Sequence, residues 1–385
     1  MRSRRAGLNC CSLQVPVMLT SIVEPNNLRT VFNALSMTRD LLRRLREDGA
    51  FLSLARRSLL PLPFEREANL PGDVFPSPEP LDAGSLRGRK IAIVASGGSG
   101  ATASLVGVQR AFEEAGLTPA AISACSGSVL FASLWACGLD AAAVARFWLT
   151  LPRSGYFDPD WRNVLHASGA AFRRWGGLLS GSALEHSFRA LLGDRRLGET
   201  RIPFSAVVWN IDLNRVEYVG TRYTPELPVA VAARVGISIP IFVEPVRIGS
   251  HLYGDGGVVD IFPVRPVLDE RPDVIIGLNS YLPQDFGGED LSGWRDRTFG
   301  ILRASGQLRW SGMLALAREQ ARLAGDRLVL LHPVPYSQVR GARFYETFLD
   351  RTSWPSYMLA GRQTAREALL RSRTAFAASR ATVAA

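Results

Sequence analysis
Between residues 90 and 139 the apolar and polar positions spell out a strand, a glycine-rich turn, a helix, a second strand and a second turn. Residues 90–95 are a short apolar run with β-branched members near glycines, which predicts a buried strand. Leu105, Val108, Ala111 and Phe112 then recur at helical spacing until Gly116 ends the helix. Residues 121–124 give a second short strand. Ser126 follows it at once, and Val129, Leu130, Ser133 and Leu134 begin the next helix.

The pattern continues downstream. Residues 204–209 and 216–219 read as strands, and 273–278 and 327–331 as further buried ones. Helices are predicted over 180–192, over 229–239 up to Pro240, over 299–323 and over 357–377. Residues 139–175 read as turns around Trp148, Phe157, Trp161 and Trp175, and 253–257 as a turn cluster between apolar runs. Strands alternating with helices predict an α/β fold with a largely parallel central sheet.

Residues 1–85 differ from the rest of the chain. Over 28–60 a helical pattern carries an arginine-rich face, with Leu41, Leu42 and Leu45 set against Arg43, Arg44 and Arg46. Such a face suits either a helical cap on the main domain or an amphipathic pair lying on a membrane surface. Residues 61–85 are proline-rich and read as a connector. The expected organisation is therefore an N-terminal helical extension with its connector over 1–85 and a main domain over 86–385.

Composition narrows the setting. The chain has 385 residues, 47% of them hydrophobic, enough for a sizeable core. It has no apolar run long enough to predict a transmembrane helix. The first residues are basic and then mildly apolar, but Gln14 and Pro16 interrupt the run, so no signal peptide is expected. Cys10, Cys11, Cys125 and Cys137 match neither metal-ligand spacing nor a disulfide framework, which fits a reduced, cytoplasmic setting. The net charge is +10, with Lys90 the single lysine among 45 basic residues. That balance suits anionic lipid surfaces or nucleic acid, with a solvated basic surface as the plainer reading, and peripheral membrane contact through the basic N-terminal helices is the partner it admits. No nucleic-acid motif accompanies it.

The chemistry gathers at two turns. A serine between a strand and a helix is lifted out of the sheet, and the helix N-terminus behind it favours developing negative charge. The turn Ser96-Gly97-Gly98-Ser99-Gly100 offers backbone N–H groups unobstructed by large side chains. Residues 98–103 formally fit a dinucleotide fingerprint. The expected ribose-binding acid is missing, because that place holds Ser123-Ala124-Cys125-Ser126. No Walker-type lysine follows either, so no nucleotide cofactor is expected, and no ligand cluster calls for a metal. Ala124-Cys125-Ser126-Gly127-Ser128 is a loosened nucleophile elbow in which alanine and serine replace the outer glycines. A serine nucleophile needs a base. One reading is a triad of Ser126, Asp255 and His332; the other has Asp255 accept the serine proton directly. Trp135, Phe147, Phe157, Phe242 and Phe262 are candidates to line an acyl pocket, with core packing as the alternative.

Taken in order, these blocks resemble the patatin-like phospholipase family over residues 90 to about 283. The blocks are SGGSGAT from Ser96, the helix end Glu113-Glu114-Ala115-Gly116, and the serine turn followed by SLWACGL at 133–139. They continue with Asn210-Ile211-Asp212, Ile239-Pro240-Ile241-Phe242 and Asp255-Gly256-Gly257 leading to Pro263. The resemblance implies a three-layer sandwich around the parallel sheet. It also implies a Ser126–Asp255 dyad, with Gly97, Gly98, Ser99 and Gly100 as the oxyanion hole. The implied function is a serine acyl-hydrolase acting on lipid esters through an acyl-enzyme. Departures stand at Ser99, Ala101 and Thr102, where the family has glycine, arginine and glycine. They keep open the alternative of a degenerate, non-catalytic lipid- or protein-binding member.

Overall fold
The computed structural model describes residues 70, 72–160, 176–240, 242–286, 300–339 and 342–383, all within the compact unit Phe64–Ala385. The helical pattern of 28–60, the first part of the connector, Trp161 and Trp175 lie outside them. Among the described residues, eight strands form one sheet: β1 (Ile91–Ala95), β2 (Ala121–Ala124), β3 (Phe204–Asn210), β4 (Arg215–Gly220), β5 (Val246–Ile248), β6 (His251–Asp255), β7 (Val274–Leu278) and β8 (Leu328–Leu331). Their order is β5-β6-β3-β2-β1-β7-β8, with β4 paired to β3 off this path. β3, β2, β1, β7 and β8 run parallel, while β4 and β6 are antiparallel to β3 and β5 is antiparallel to β6.

Helices cover both faces, as a parallel sheet requires. They are α1 (Ser104–Glu114), α2 (Gly127–Ala136), α3 (Ala141–Thr150), α4 (Ser182–Leu192), α5 (Val229–Gly236), α6 (Arg265–Leu268), α7 (Gly300–Ala324), α8 (Ala342–Leu349) and α9 (Trp354–Val383). The two-residue period of the strands sorts the core. Ile91, Ile93, Ile122, Ala124 and Ile276 face a cluster built with α1 to α5 and α9. Ala92, Val94, Cys125, Val207 and Ile275 face a second cluster with Ile261, Phe262, Val267, Leu314 and Ala317. The fold is thus a three-layer α/β/α sandwich, as the sequence implied.

Two elements differ from expectation. Residues 139–175 begin not with turns but with α3, whose N-cap Asp140 accepts the Ala143 N–H at 2.7 Å. Its Trp148 packs against Phe131, Phe188 and Trp354. The second is β6: Tyr253, Gly254 and Asp255 are the end of a strand rather than part of a turn, because β3 offers that segment a free edge. Across the first layer, α1 and α9 meet through backbone at Gly107 and Gly361, where an added Cβ would strike the Met358 and Ser104 carbonyls. Glu114, at the end of α1, accepts from Arg362 Nε at 3.0 Å and Arg366 at 2.5 Å on α9, so the expected helix-end acid is an interhelical pin. The last part of the connector joins the same core through buried Leu81 and Ala83.

Candidate active site
The strand register explains how residues 129 positions apart come to touch. β4 occupies one whole edge of β3, from Ser205 to Asn210. β2 and β6 must therefore share the other edge: β2 pairs with Phe204 to Ala206, and β6 with Val208 to Asn210. β2 runs parallel to β3 and β6 runs against it, so their carboxyl ends meet head to head beside Val207. Ser126 leaves the end of β2, and Asp255 is the last residue of β6. Gly256 permits the approach, since a Cβ there would stand 2.6 Å from the Val207 carbonyl carbon.

Ser126 Oγ donates a hydrogen bond to Asp255 Oδ2 at 2.6 Å. Both residues are buried, with 6% and 2% of their surface exposed. Ser126 adopts φ 50° and ψ −133°, a backbone conformation that non-glycine residues rarely take. Such strain, on the order of 1–3 kcal/mol, is held only where the surroundings over-determine it. Here Val129 N–H binds the Ser126 carbonyl at 2.8 Å and Ser128 Oγ binds the Ser96 carbonyl at 2.7 Å, fixing the turn from both sides. Asp255 Oδ1 accepts the Gly257 N–H at 2.7 Å, which orients the carboxylate. Burial pushes the Asp255 carboxyl up to about 7, against the opposing pull of the Ser126 and Gly257 hydrogen bonds.

The glycine turn lies against the serine. A Cβ on Gly97 would come within 3.2 Å of Ser126 Cβ, and one on Gly127 would stand 2.6 Å from the Gly98 carbonyl. Gly97 departs from the expected oxyanion role, because its N–H is already donated to the Ile261 carbonyl at 2.9 Å. The N–H groups of Gly98, Ser99, Gly100 and Gly127 meet no acceptor among the described residues. Gly127 was missed in the sequence. The signal was there: the residue after an elbow nucleophile sits at a helix N-terminus, where N–H groups lack intrahelical partners. Gly100 lies against α8, where an added Cβ would strike the Thr347 carbonyl.

His332 lies elsewhere. Its Nδ1 is 3.0 Å from Asn279 Nδ2, beyond the end of β7, while Asp255 is held by Ser126 and Gly257. The triad reading loses its third member. Among the aromatic candidates, Trp135 packs edge-on against Phe112, Phe147 against Trp148 and Phe188, and Phe262 against Phe286. These three are core residues.

Comparison with known proteins finds a family match over part of the chain. Residues 93–268 match the family described as patatin-like phospholipase. Lysophospholipase NTE1 of Cryptococcus neoformans is 26% identical over 214 residues; the match spans 54% of this chain and 12% of that relative. The chain thus covers about an eighth of the length of the curated relatives it matches. Among solved structures, VipD from Legionella pneumophila is similar at 15% identity and a TM-score of 0.42, over 73% of this chain and 66% of that one. ExoU of Pseudomonas aeruginosa, solved with SpcU, is similar at 16% identity and a TM-score of 0.34, over 77% and 52%. Residues 93–268 thus match a patatin-like phospholipase domain.

Proposed function
We propose, from a chain whose residues 93–268 match a patatin-like phospholipase domain, that it is a serine acyl-hydrolase cleaving lipid esters with Ser126 as nucleophile and Asp255 as base. The observation that carries this reading is the direct, buried 2.6 Å contact from Ser126 Oγ to Asp255 Oδ2 beside a turn of free N–H groups. In the proposed reaction Asp255 Oδ2 takes the proton as Ser126 Oγ bonds to the ester carbonyl carbon. The carbonyl oxygen becomes an oxyanion and accepts from N–H groups of Gly98, Ser99 and Gly127, while the positive end of α2 adds to its stabilisation. Collapse breaks the ester C–O bond, and the proton on Asp255 passes to the departing alcohol. Water then attacks the acyl-serine and gives a proton to Asp255; collapse breaks the bond from the acyl carbon to Ser126 Oγ, Asp255 returns the proton to that oxygen, and the fatty acid leaves. A carboxyl raised to about 7 has the right strength for both halves, since it can take and return a proton near neutral pH.

The alternative of a non-catalytic homologue loses weight because the family's departures at Ser99, Ala101 and Thr102 leave the backbone donors in place. The test is hydrolysis of a medium-chain nitrophenyl ester and of a phospholipid, with labelling by a fluorophosphonate probe. Ser126→Ala and Asp255→Asn are each expected to lower kcat by about 1,000-fold or more, and Ser126→Ala to abolish labelling. Rates equal to wild type in both variants would overturn the assignment.

Peripheral attachment belongs to the same proposal. Among the described residues no helix is long and apolar enough to cross a membrane. Lipid reaches the site, on this reading, through contact of the basic pattern at 28–60 with an anionic surface. Vesicles containing anionic lipid should bind the full chain and bind it less after deletion of residues 1–85; equal binding would remove this part.

A further inference from the structure
Among the described residues the mechanism leaves two buried carboxylates unused: Glu114, which pins α1 to α9, and Asp260. Asp260 lies five residues beyond Asp255, 1% exposed, at the far end of the turn that β6 feeds. Its Oδ2 accepts two hydrogen bonds from distant elements: Tyr218 Oη on β4 at 3.1 Å and Gln320 Nε2 on α7 at 3.1 Å. Its own N–H closes the turn onto the Gly256 carbonyl at 2.9 Å. The next residue, Ile261, presents the carbonyl that takes the Gly97 N–H at 2.9 Å. Gln320 also accepts the Arg265 N–H at 3.1 Å, so α7 grips this loop at both Asp260 and the start of α6.

A chain of contacts therefore runs from Asp260 through Ile261 to Gly97. Gly97 lies against Ser126, and a Cβ on it would meet Ile261 Cγ1 at 3.1 Å and Ser126 Cβ at 3.2 Å. A glycine turn has little side-chain packing of its own to fix it. Its N–H groups serve an oxyanion only if held within a few tenths of an ångström of the required geometry. The clamp on Gly97 supplies that hold, and the clamp is only as rigid as the loop that carries Ile261.

We propose that Asp260, fixed by Tyr218 and Gln320, is a positioning residue for the oxyanion turn, holding the Ile261 carbonyl on Gly97 so that the next N–H groups aim at the reacting carbonyl. This rests on the acyl-hydrolase reading. It gives a role to a carboxylate buried between Tyr218 and Gln320. Burial pushes the Tyr218 phenol well above its usual range, with the Asp260 charge acting in the same direction, so Tyr218 remains a donor throughout the neutral range.

The role separates from simple core support through its conservative variant and its kinetic signature. Asp260→Asn keeps an oxygen that can accept from Tyr218 and Gln320, and should retain kcat within about threefold. Asp260→Leu, similar in size but without an acceptor, should lower kcat and the fluorophosphonate labelling rate about 10- to 100-fold with KM changed less than threefold. If the Leu variant does not fold, the pair Tyr218→Phe and Gln320→Leu removes the donors instead and should lower kcat by about tenfold. Wild-type rates in a folded Leu variant, or in the donor pair, would overturn the proposal. So would an Asn variant as impaired as the Leu variant, or a loss confined to KM. Wild-type protein that neither labels nor hydrolyses esters would instead sink the acyl-hydrolase reading itself.

Discussion
Ser126 leaves the sheet from strands buried on both faces, whereas Asp255 arrives on a ribbon whose residues are half exposed until its final two. Every position of β1, β2 and β7 is buried; in β6 only Gly254 and Asp255 are. The parallel half is set by packing, since burial on both faces fixes its register. The ribbon is set by hydrogen bonds. Leu252 N–H binds Asp212 Oδ2 at 2.8 Å, Tyr253 Oη binds Glu217 Oε2 at 2.9 Å, and the β3 edge supplies the rest. The proposed nucleophile and base thus depend on different forces, and perturbations should separate them.

The largest effects are expected at the point where the two halves meet. If Ser126 and Asp255 act as one unit, as proposed, the double variant Ser126→Ala with Asp255→Asn should lose no more activity than Ser126→Ala alone, by ester hydrolysis. Losses that multiply would mean the two side chains work independently. Next come the glycines on either side of the junction. Gly127→Ala puts a methyl against the Gly98 carbonyl and should lower kcat about 100- to 1,000-fold by shifting the oxyanion turn. Gly256→Ala pushes the ribbon off Val207 and should cost about 100-fold in kcat together with about 1–3 kcal/mol of stability. If Gly256→Ala leaves both unchanged, the head-to-head meeting of β2 and β6 is not what positions the base.

A smaller effect sharpens the contrast through pH. In the proposed mechanism Asp255 must be ionised to act as base, so kcat/KM should rise with pH along a limb near 7. Stability runs the other way. The folded-state carboxyl titrates near 7 instead of its ordinary 3.8, so the native state holds the proton more tightly than the unfolded chain. That contribution is fully present below about 3.8 and is lost as pH rises through about 7. Asp255→Asn removes the penalty of a buried charge. Its urea-unfolding stability should exceed wild type at pH 8 by on the order of 1–3 kcal/mol, and the gap should close toward pH 4. Asp260, raised to about 6 by burial, is present in both proteins and cancels in the comparison. An Asn variant less stable than wild type at pH 8 would show that the carboxylate is held by favourable bonds that outweigh its burial.

The same division decided what could be read from the amino acids alone. The parallel half was legible: 90–95, 121–124, 204–209 and 273–278 are short apolar runs, and strands buried on both faces write themselves that way. Ser126 was legible from its place after such a run. The ribbon was not, because β6 is His-Leu-Tyr-Gly-Asp, with neither a clean alternation nor a continuous apolar run, and its strand character comes from the edge of β3. Asp255 was therefore found by its glycines and by the family resemblance, with its strand unseen. α3 is obscured differently: its Ala-Ala-Ala-Val start after Asp140 is a helix signal, but the aromatic-rich stretch that follows continues without a break into the turns beyond. The Asp260 hub joins residues from β4 and α7, and no local pattern announces a contact of that kind.

The smallest effect tests the third member that the sequence offered to the dyad. His332 follows β8, on the side of the sheet away from the ribbon, and the order β6-β3-β2-β1-β7-β8 puts four strands between β6 and β8. Its ring meets the Asn279 side chain, whose Oδ1 accepts the Leu282 N–H at 2.8 Å and whose Nδ2 reaches the Leu282 carbonyl at 3.0 Å. Those bonds shape the loop after β7, whose Ser280 and Tyr281 wall Gly98. His332→Ala should therefore act only through that wall, changing kcat less than about threefold and leaving the acid limb of the pH profile where Asp255 sets it. A loss of about 100-fold or more, with the limb displaced, would mean that a histidine carries the proton after all, and the direct Ser126–Asp255 bond would then be a resting arrangement rather than the working one.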